Sequence, residues 1–188
     1  MDTPRVTEVL KYFTGYDHVP KNILKGAAER GTTVHALCAA IANGSWVPIT
    51  MIDESLQGYV KSFLLWKEAQ VKEFRIVEKR FIHPENLYTG QIDFVTTCTD
   101  GNTWLVDIKT SSSHQKTYPL QMGAYGRLLR LYGNEVFGAM IVYLDKNGEF
   151  PEIYVVDDLE KEFSTFKCAL DCWYYFKEKN ENVRKIRA

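Results

Sequence analysis

Asp93, Asp107 and Lys109 are two carboxylates and an amine on adjacent strand-like runs, residues 88–98 and 103–110, separated by Thr99, Asp100, Gly101 and Asn102. On one face of a hairpin, such carboxylates can hold a divalent cation, with the amine placed to meet a phosphate. Whether they share a face depends on the turn. A two-residue turn centred on Asp100-Gly101 would pair Asp93 with Ile108 and send the two aspartates to opposite faces. A three-residue loop, with Gly101 left-handed and a G1 bulge, shifts the register by one and sets Asp93 directly across from Asp107. Opposed residues have Cβ atoms about 5 Å apart, where like charges repel unless a cation or proton lies between them. Lys109, two residues past Asp107, returns to the same face. Aspartate is scarce in strands, and Ile92, Phe94, Leu105, Val106 and Ile108 mark these runs as buried. A functional cluster is therefore favoured over a salt-bridged surface.

Other residues could complete such a site. Ala28, Gly31, His35, Ala39 and Ala42 form a narrow helical face whose small members permit close approach to a sheet. His35 is its one large polar member. Alone it reads as a core histidine bonded to a carbonyl, but with two aspartates nearby a neutral imidazole becomes a fitting metal ligand. Gln121 and Tyr125 stand at i, i+4 on one helix face, and taken alone the pair reads as surface polarity. Gly123 and Gly126 on that helix each cost about 1 kcal/mol relative to alanine, which asks for close packing against the sheet or a ligand backbone. Pairing residues 74–82 beside the Asp93 strand would bring Glu78 near.

These residues need elements to position them. Thr7 suits the N-cap of a short helix over 7–13, Pro20 opens a longer one to 43 that Gly44 closes, and Asp53 caps a third. In that third helix Leu56, Tyr59, Val60, Phe63 and Leu64 form the apolar stripe. Strands follow over 74–82, 88–98 and 103–110, then a helix over 118–132 ending at Gly133. Strands over 136–144 and 152–156 flank an Asn147-Gly148 hairpin signal, and a last helix covers 158–179. The order predicts an α/β protein: a central mixed β-sheet flanked by helices, with a helical N-terminal third and the Asp93–Asp107 hairpin in mid-sheet.

The 188 residues, 45% hydrophobic and 13% aromatic, suit one domain. Its parts would be a helical stretch 1–72, a sheet region 73–157 and a helix with polar tail 158–188. Twenty-three basic against 24 acidic residues leave a formal net charge of -1, so any polyanion site must be a local patch. The N-terminus lacks a basic-then-apolar leader and no run of about 18 apolar residues occurs, which predicts a soluble intracellular protein without membrane contact. The basic end, KEKNENVRKIRA, reads as a solvated tail. Cys38, Cys98, Cys168 and Cys172 read as structural, the last two as half-buried helix positions rather than a metal knuckle.

The ordered set His35, Gly90-Gln91-Ile92-Asp93, Asp107-Ile108-Lys109 and Gln121 with Tyr125 resembles the RecB-like exonuclease branch of the PD-(D/E)XK nuclease superfamily. Its segments RGTTVH, GQID, DIKT and QMGAY run from about residue 30 to 125, with a weaker echo at 6–10. Each motif is weak, and the ordered four are strong together. The superfamily's name-giving proline is absent, since Ile92 precedes Asp93.

The resemblance implies a restriction-endonuclease-like core and a divalent-metal-dependent DNA nuclease. First among its activities would be an exonuclease acting on single- or double-stranded ends in recombination, repair or phage DNA processing. Such a protein would work in the cytoplasm of a bacterium or phage-infected host. It further implies that His35, Asp93, Asp107 and the backbone carbonyl of Ile108 hold magnesium or manganese, with Glu78 helping with a second ion. Lys109 would orient or help deprotonate the attacking water, and Gln121, Tyr125, Arg30 and Thr110 would contact DNA. Oxygen-rich ligation with one imidazole suits those ions better than zinc. Some relatives active in CRISPR adaptation hold an iron-sulfur cluster with one cysteine before the core and three after it. Cys38 and Cys98 lie within the core region here, so no cluster is expected. So small a chain could act as a homo-oligomer or with a recombination or replication partner. The rival readings are a non-catalytic nucleic-acid-binding or assembly module that keeps the fold, and a structure-specific endonuclease.

Overall fold

The computed structural model describes residues 3–177. Helices α1 (Val6–Leu10), α2 (Lys21–Ala42) and α3 (Glu54–Gln70) come first, joined by short 3-10 turns. Strands β1 (Val71–Ile82), β2 (Thr89–Cys98) and β3 (Thr103–Lys109) follow, then α4 (Thr117–Leu131), β4 (Gly138–Tyr143), β5 (Glu152–Val156) and α5 (Leu159–Lys177). The strands form one mixed sheet in the order β1-β2-β3-β4-β5, antiparallel except for the parallel β3–β4 pair that α4 connects. No described helix is long and apolar enough to cross a membrane.

Helices cover both faces of the sheet. Val95, Leu105, Ala139 and Ile141 share a core with Val6 and Val9 of α1, Met122 and Leu128 of α4 and Phe166 of α5. On the other face Phe94, Val106, Ile108, Met140 and Val142 meet Val34 and Cys38 of α2 and Val60, Phe63 and Trp66 of α3. Two-sided burial explains the consecutive apolar residues Phe94-Val95 in β2, Trp104-Leu105-Val106 in β3 and Ala139 to Tyr143 in β4. A charged residue in such a strand is shut away from water, and Asp93 and Asp107 are only 6% and 2% exposed.

The hairpin turn takes the three-residue form. Gly101, at φ 87°, is left-handed, its N–H donates to the Cys98 carbonyl at 3.0 Å, and Cys98 N–H donates to the Asn102 carbonyl at 2.9 Å. Asp100 locks the turn by accepting from Asn102 N–H at 2.9 Å and from Trp104 Nε1 at 3.0 Å. The ladder runs from Thr97 opposite Thr103 to Phe94 opposite Val106, a register whose next position sets Asp93 against Asp107.

Asp53 caps α3 by accepting from Ser55 N–H, and Gly44 and Gly133 follow α2 and α4 with positive φ, as expected. Other details differ. The first helix starts at Val6 after Arg5, so Thr7 is not its cap. β1 begins at Val71, running straight on from α3 without a loop. Asn147-Gly148 belongs to a longer connection, with the Asp145 carboxylate accepting from Asn147 N–H at 2.7 Å. On α2 the small-residue face is only partly used: Ala28 is exposed, and Val34, Cys38 and Ile41 point into the core. Gly123 and Gly126 serve neither sheet nor ligand but the α4–α5 contact; a Cβ on Gly123 would lie 2.3 Å from the Phe163 nitrogen. Cys38 and Cys98 are buried, whereas Cys168 and Cys172 are exposed because α5 turns that side to solvent. The basic tail from residue 178 onward lies outside the described residues.

Candidate active site

At the end of the β2–β3 ladder, side chains take over from backbone pairing. Asp93 Oδ2 accepts the N–H of Ile108 at 2.9 Å, so a buried strand amide is satisfied by a carboxylate. The other oxygen, Oδ1, lies 3.3 Å from His35 Nδ1, which α2 delivers from the opposite layer. Glu78 on β1 completes the group, its Oε1 3.5 Å from the same nitrogen. His35, Glu78 and Asp93 each offer one ligand atom within 4.8 Å of the others, close enough for one ion.

Glu78 is held there under strain. Its φ is 46°, a left-handed backbone costing about 1–3 kcal/mol for a residue with a side chain. Gln91 Nε2 donates to its Oε2 at 2.6 Å, while Oε1 is buried with no hydrogen-bond partner among the described residues. Strain and a buried, unpaired carboxylate oxygen at one residue mark a position shaped for a ligand rather than for stability.

Asp107 is held differently. Gln121 Nε2 donates to its Oδ1 at 2.8 Å, and Lys109 Nζ lies 2.6 Å from Oδ2 as an ion pair without the angles of a hydrogen bond. Lys109 Nζ also donates to Gln121 Oε1 at 3.3 Å and sits 4.4 Å from the centre of the Tyr118 ring, a cation–π contact. Gln121 Nε2 in turn donates to the Tyr125 hydroxyl at 3.1 Å. The Tyr125 ring rests on Gly90, where a Cβ would come within 2.6 Å of it. The glycine of the GQID segment is thus what admits the tyrosine.

Burial and charge decide the protonation states. Burial pulls His35 down, but Asp93 by charge and hydrogen bond, with Glu78, raises it to about 10, so the metal-free site holds an imidazolium. Burial pushes Asp107 up to about 6 against the pull of Lys109. Burial also raises the Cys38 thiol, with Asp93 and Glu78 adding to it, which keeps that cysteine neutral and in a packing role. With His35 neutral, three carboxylates and Lys109 leave two negative charges, a match for one divalent cation. The oxygen-rich donor set with one imidazole, and the unpaired Glu78 Oε1, fit magnesium or manganese.

Of the expected residues, His35, Asp93 and Glu78 come together directly, with Asp107 and Lys109 beside them in one cavity. Ile108 is buried in β3 and meets the site through its N–H. Gln121 and Tyr125 are 6% and 4% exposed, which overturns the reading of the pair as surface polarity: their helix face turns inward to hold Asp107. Arg30 and Thr110 line a neighbouring cleft instead. Two contributors went unnoticed in the sequence. Gln91 lies inside the GQID segment itself, and Tyr118 stands three residues before Gln121, a spacing that shares a helix face.

A five-stranded mixed sheet flanked by helices, with this cluster on its central hairpin, defines a restriction-endonuclease-like protein. The chain belongs to the PD-(D/E)XK nuclease superfamily, whose sequence profile matches residues 47–173. That span takes in Glu78, Asp93, Asp107, Lys109, Gln121 and Tyr125, while His35 precedes it. The crystal structure of SSO0001 is similar at a TM-score of 0.41 and 15% identity, over 64% of this chain and 58% of that one. The chain thus spans less than two thirds of that protein's length. No curated protein shows significant similarity.

Proposed function

We propose that this chain is a divalent-metal-dependent deoxyribonuclease of the RecB-like branch, an exonuclease that shortens DNA ends in recombination, repair or phage DNA processing. Residues 1–188 act as a single nuclease domain. The observation that carries this reading is the gathering of Asp93 and Asp107, just past the end of the β2–β3 ladder, in one cavity with His35, Glu78 and Lys109.

His35, Glu78 and Asp93, with Asp107 opposite, would hold magnesium or manganese. The ion supplies Lewis-acid polarisation of a phosphate oxygen and acidifies bound water. The remaining work falls to the protein. As water adds to phosphorus and the bond to the departing sugar oxygen breaks, Lys109 orients that water and offsets the charge gathering on the phosphoryl oxygens. Gln121 bonds both Asp107 and Lys109 and so fixes the angle between them. Tyr125 and Tyr118 hold that pair from behind. Enclosure between the sheet and α2 strengthens every one of these charge interactions.

The test is digestion of end-labelled single- and double-stranded DNA with magnesium, manganese or EDTA, with Asp107→Ala and Lys109→Ala as controls. Metal-dependent release of mononucleotides or short products from ends, lost in both variants, is expected. Cleavage of a covalently closed circle would replace the exonuclease with an endonuclease, and metal-independent binding without cleavage would leave a non-catalytic module.

A further inference from the structure

Beside the site lies a second cleft of about 550 Å³, divided from it by Gly31 and Thr110, where a Cβ on the glycine would stand 3.8 Å from the threonine hydroxyl. Consecutive residues straddle the divide. Gly31 and Lys109 line the site, and their neighbours Arg30 and Thr110 line the cleft. Gly31 puts no side chain of its own on that divide.

The walls of the cleft are aromatic and polar. His114 packs 4.4 Å from the Tyr143 ring and 4.7 Å from the Tyr154 ring, and its side chain is 45% exposed. Phe150, on the wall, is 48% exposed. The Arg30 guanidinium lies 5.9 Å from the Tyr59 ring, and its Nε is buried with no hydrogen-bond partner among the described residues. Arg30 and Lys146 are balanced by Asp145 and Glu152, so the lining carries no net charge, unlike a groove that follows a run of phosphates. Partly exposed aromatic side chains, hydroxyl and carboxylate acceptors and one unsatisfied guanidinium suit a nucleobase with a single phosphate. The volume suits a nucleotide. A base can enter such a cleft only when it is out of a duplex.

We propose that this cleft holds the unpaired nucleotide next to the scissile phosphate, its base stacked on His114 and Phe150 and its phosphate on Arg30. The inference rests on the nuclease reading and sharpens it: the strand end being cut is single-stranded or frayed at that position.

The test reads binding without cleavage. Fluorescence anisotropy with the full chain in EDTA compares a labelled thymidylate hexamer with an abasic hexamer of the same length and charge. The thymidylate should bind about tenfold more tightly. That ratio should fall severalfold in Phe150→Ala, an exposed position that spares the fold, and nearly to unity in the His114→Ala, Phe150→Ala double variant. A hairpin duplex should bind more weakly than the single strand. Equal binding of the two hexamers, a ratio unmoved by both variants, or tighter binding of the duplex would each overturn the cleft. Cleavage with manganese is measured separately: base preference without cleavage sinks the hydrolase and leaves the cleft, and cleavage without base preference does the reverse.

Discussion

The two aspartates face each other across one hairpin, yet the halves of the site around them are built on different principles. Around Asp107 the protein supplies a close countercharge: Lys109 lies 2.6 Å from Oδ2, and Gln121, Tyr125 and Tyr118 link to the pair. Around Asp93 the charge contacts are longer. His35 is shared between two carboxylates, Glu78 keeps a buried oxygen unpaired, and the backbone there is strained. Each half keeps one buried carboxylate oxygen without a hydrogen bond, Asp107 Oδ2 and Glu78 Oε1, but a lysine sits 2.6 Å from the first, whereas the second has only a histidine at 3.5 Å and a strained backbone. One half positions reacting groups, and the other awaits a cation.

Substitutions that separate the halves test this contrast. The largest effect is expected from Asp107→Asn and Lys109→Ala, which should lower single-turnover DNA cleavage on the order of 10³-fold. In Lys109→Ala, manganese affinity by calorimetry should hold or rise, because a competing cation is gone. Next comes Glu78→Gln, which should weaken manganese binding by about tenfold or more; undiminished affinity would break the assignment of that half to the cation. Gln121→Leu should reduce cleavage by about tenfold while manganese binding stays the same, and a parallel loss of both would merge the halves into one.

The smallest effect concerns pH. His35 binds its proton more tightly folded than unfolded, its value raised from the ordinary 6.5 to about 10. The stability this contributes is fully present below pH 6.5 and is lost as pH rises toward 10. Metal-free protein should therefore lose several degrees in Tm across that range, and His35→Gln should flatten the decline. A decline equally steep in the variant would remove His35 as its source.

The hairpin that carries both aspartates was the most legible part of the site in the sequence. The register that brings Asp93 and Asp107 to one face follows from strand alternation and from a glycine placed to close a three-residue loop, both local signals. Helix ends at Gly44, Asp53 and Gly133 were local too. What escaped depends on partners distant in the chain. Helix periodicity puts Gln121 beside Tyr125 but cannot say whether that face turns to water or to Asp107, so the pair's burial was hidden. Gly123 and Gly126 signal a close neighbour without naming α5. The left-handed backbone of Glu78 has no signal in the sequence, since glutamate does not favour it.

That last residue bears on how this protein could be engineered. Glycine or asparagine at position 78 would relieve the backbone and remove a buried carboxylate oxygen that has no hydrogen bond, changes of the kind that raise heat tolerance. A library screened for thermostability alone would therefore drift toward them, enriching sturdier proteins that have lost a cation ligand. Any such campaign needs a metal-binding screen run beside the thermal one.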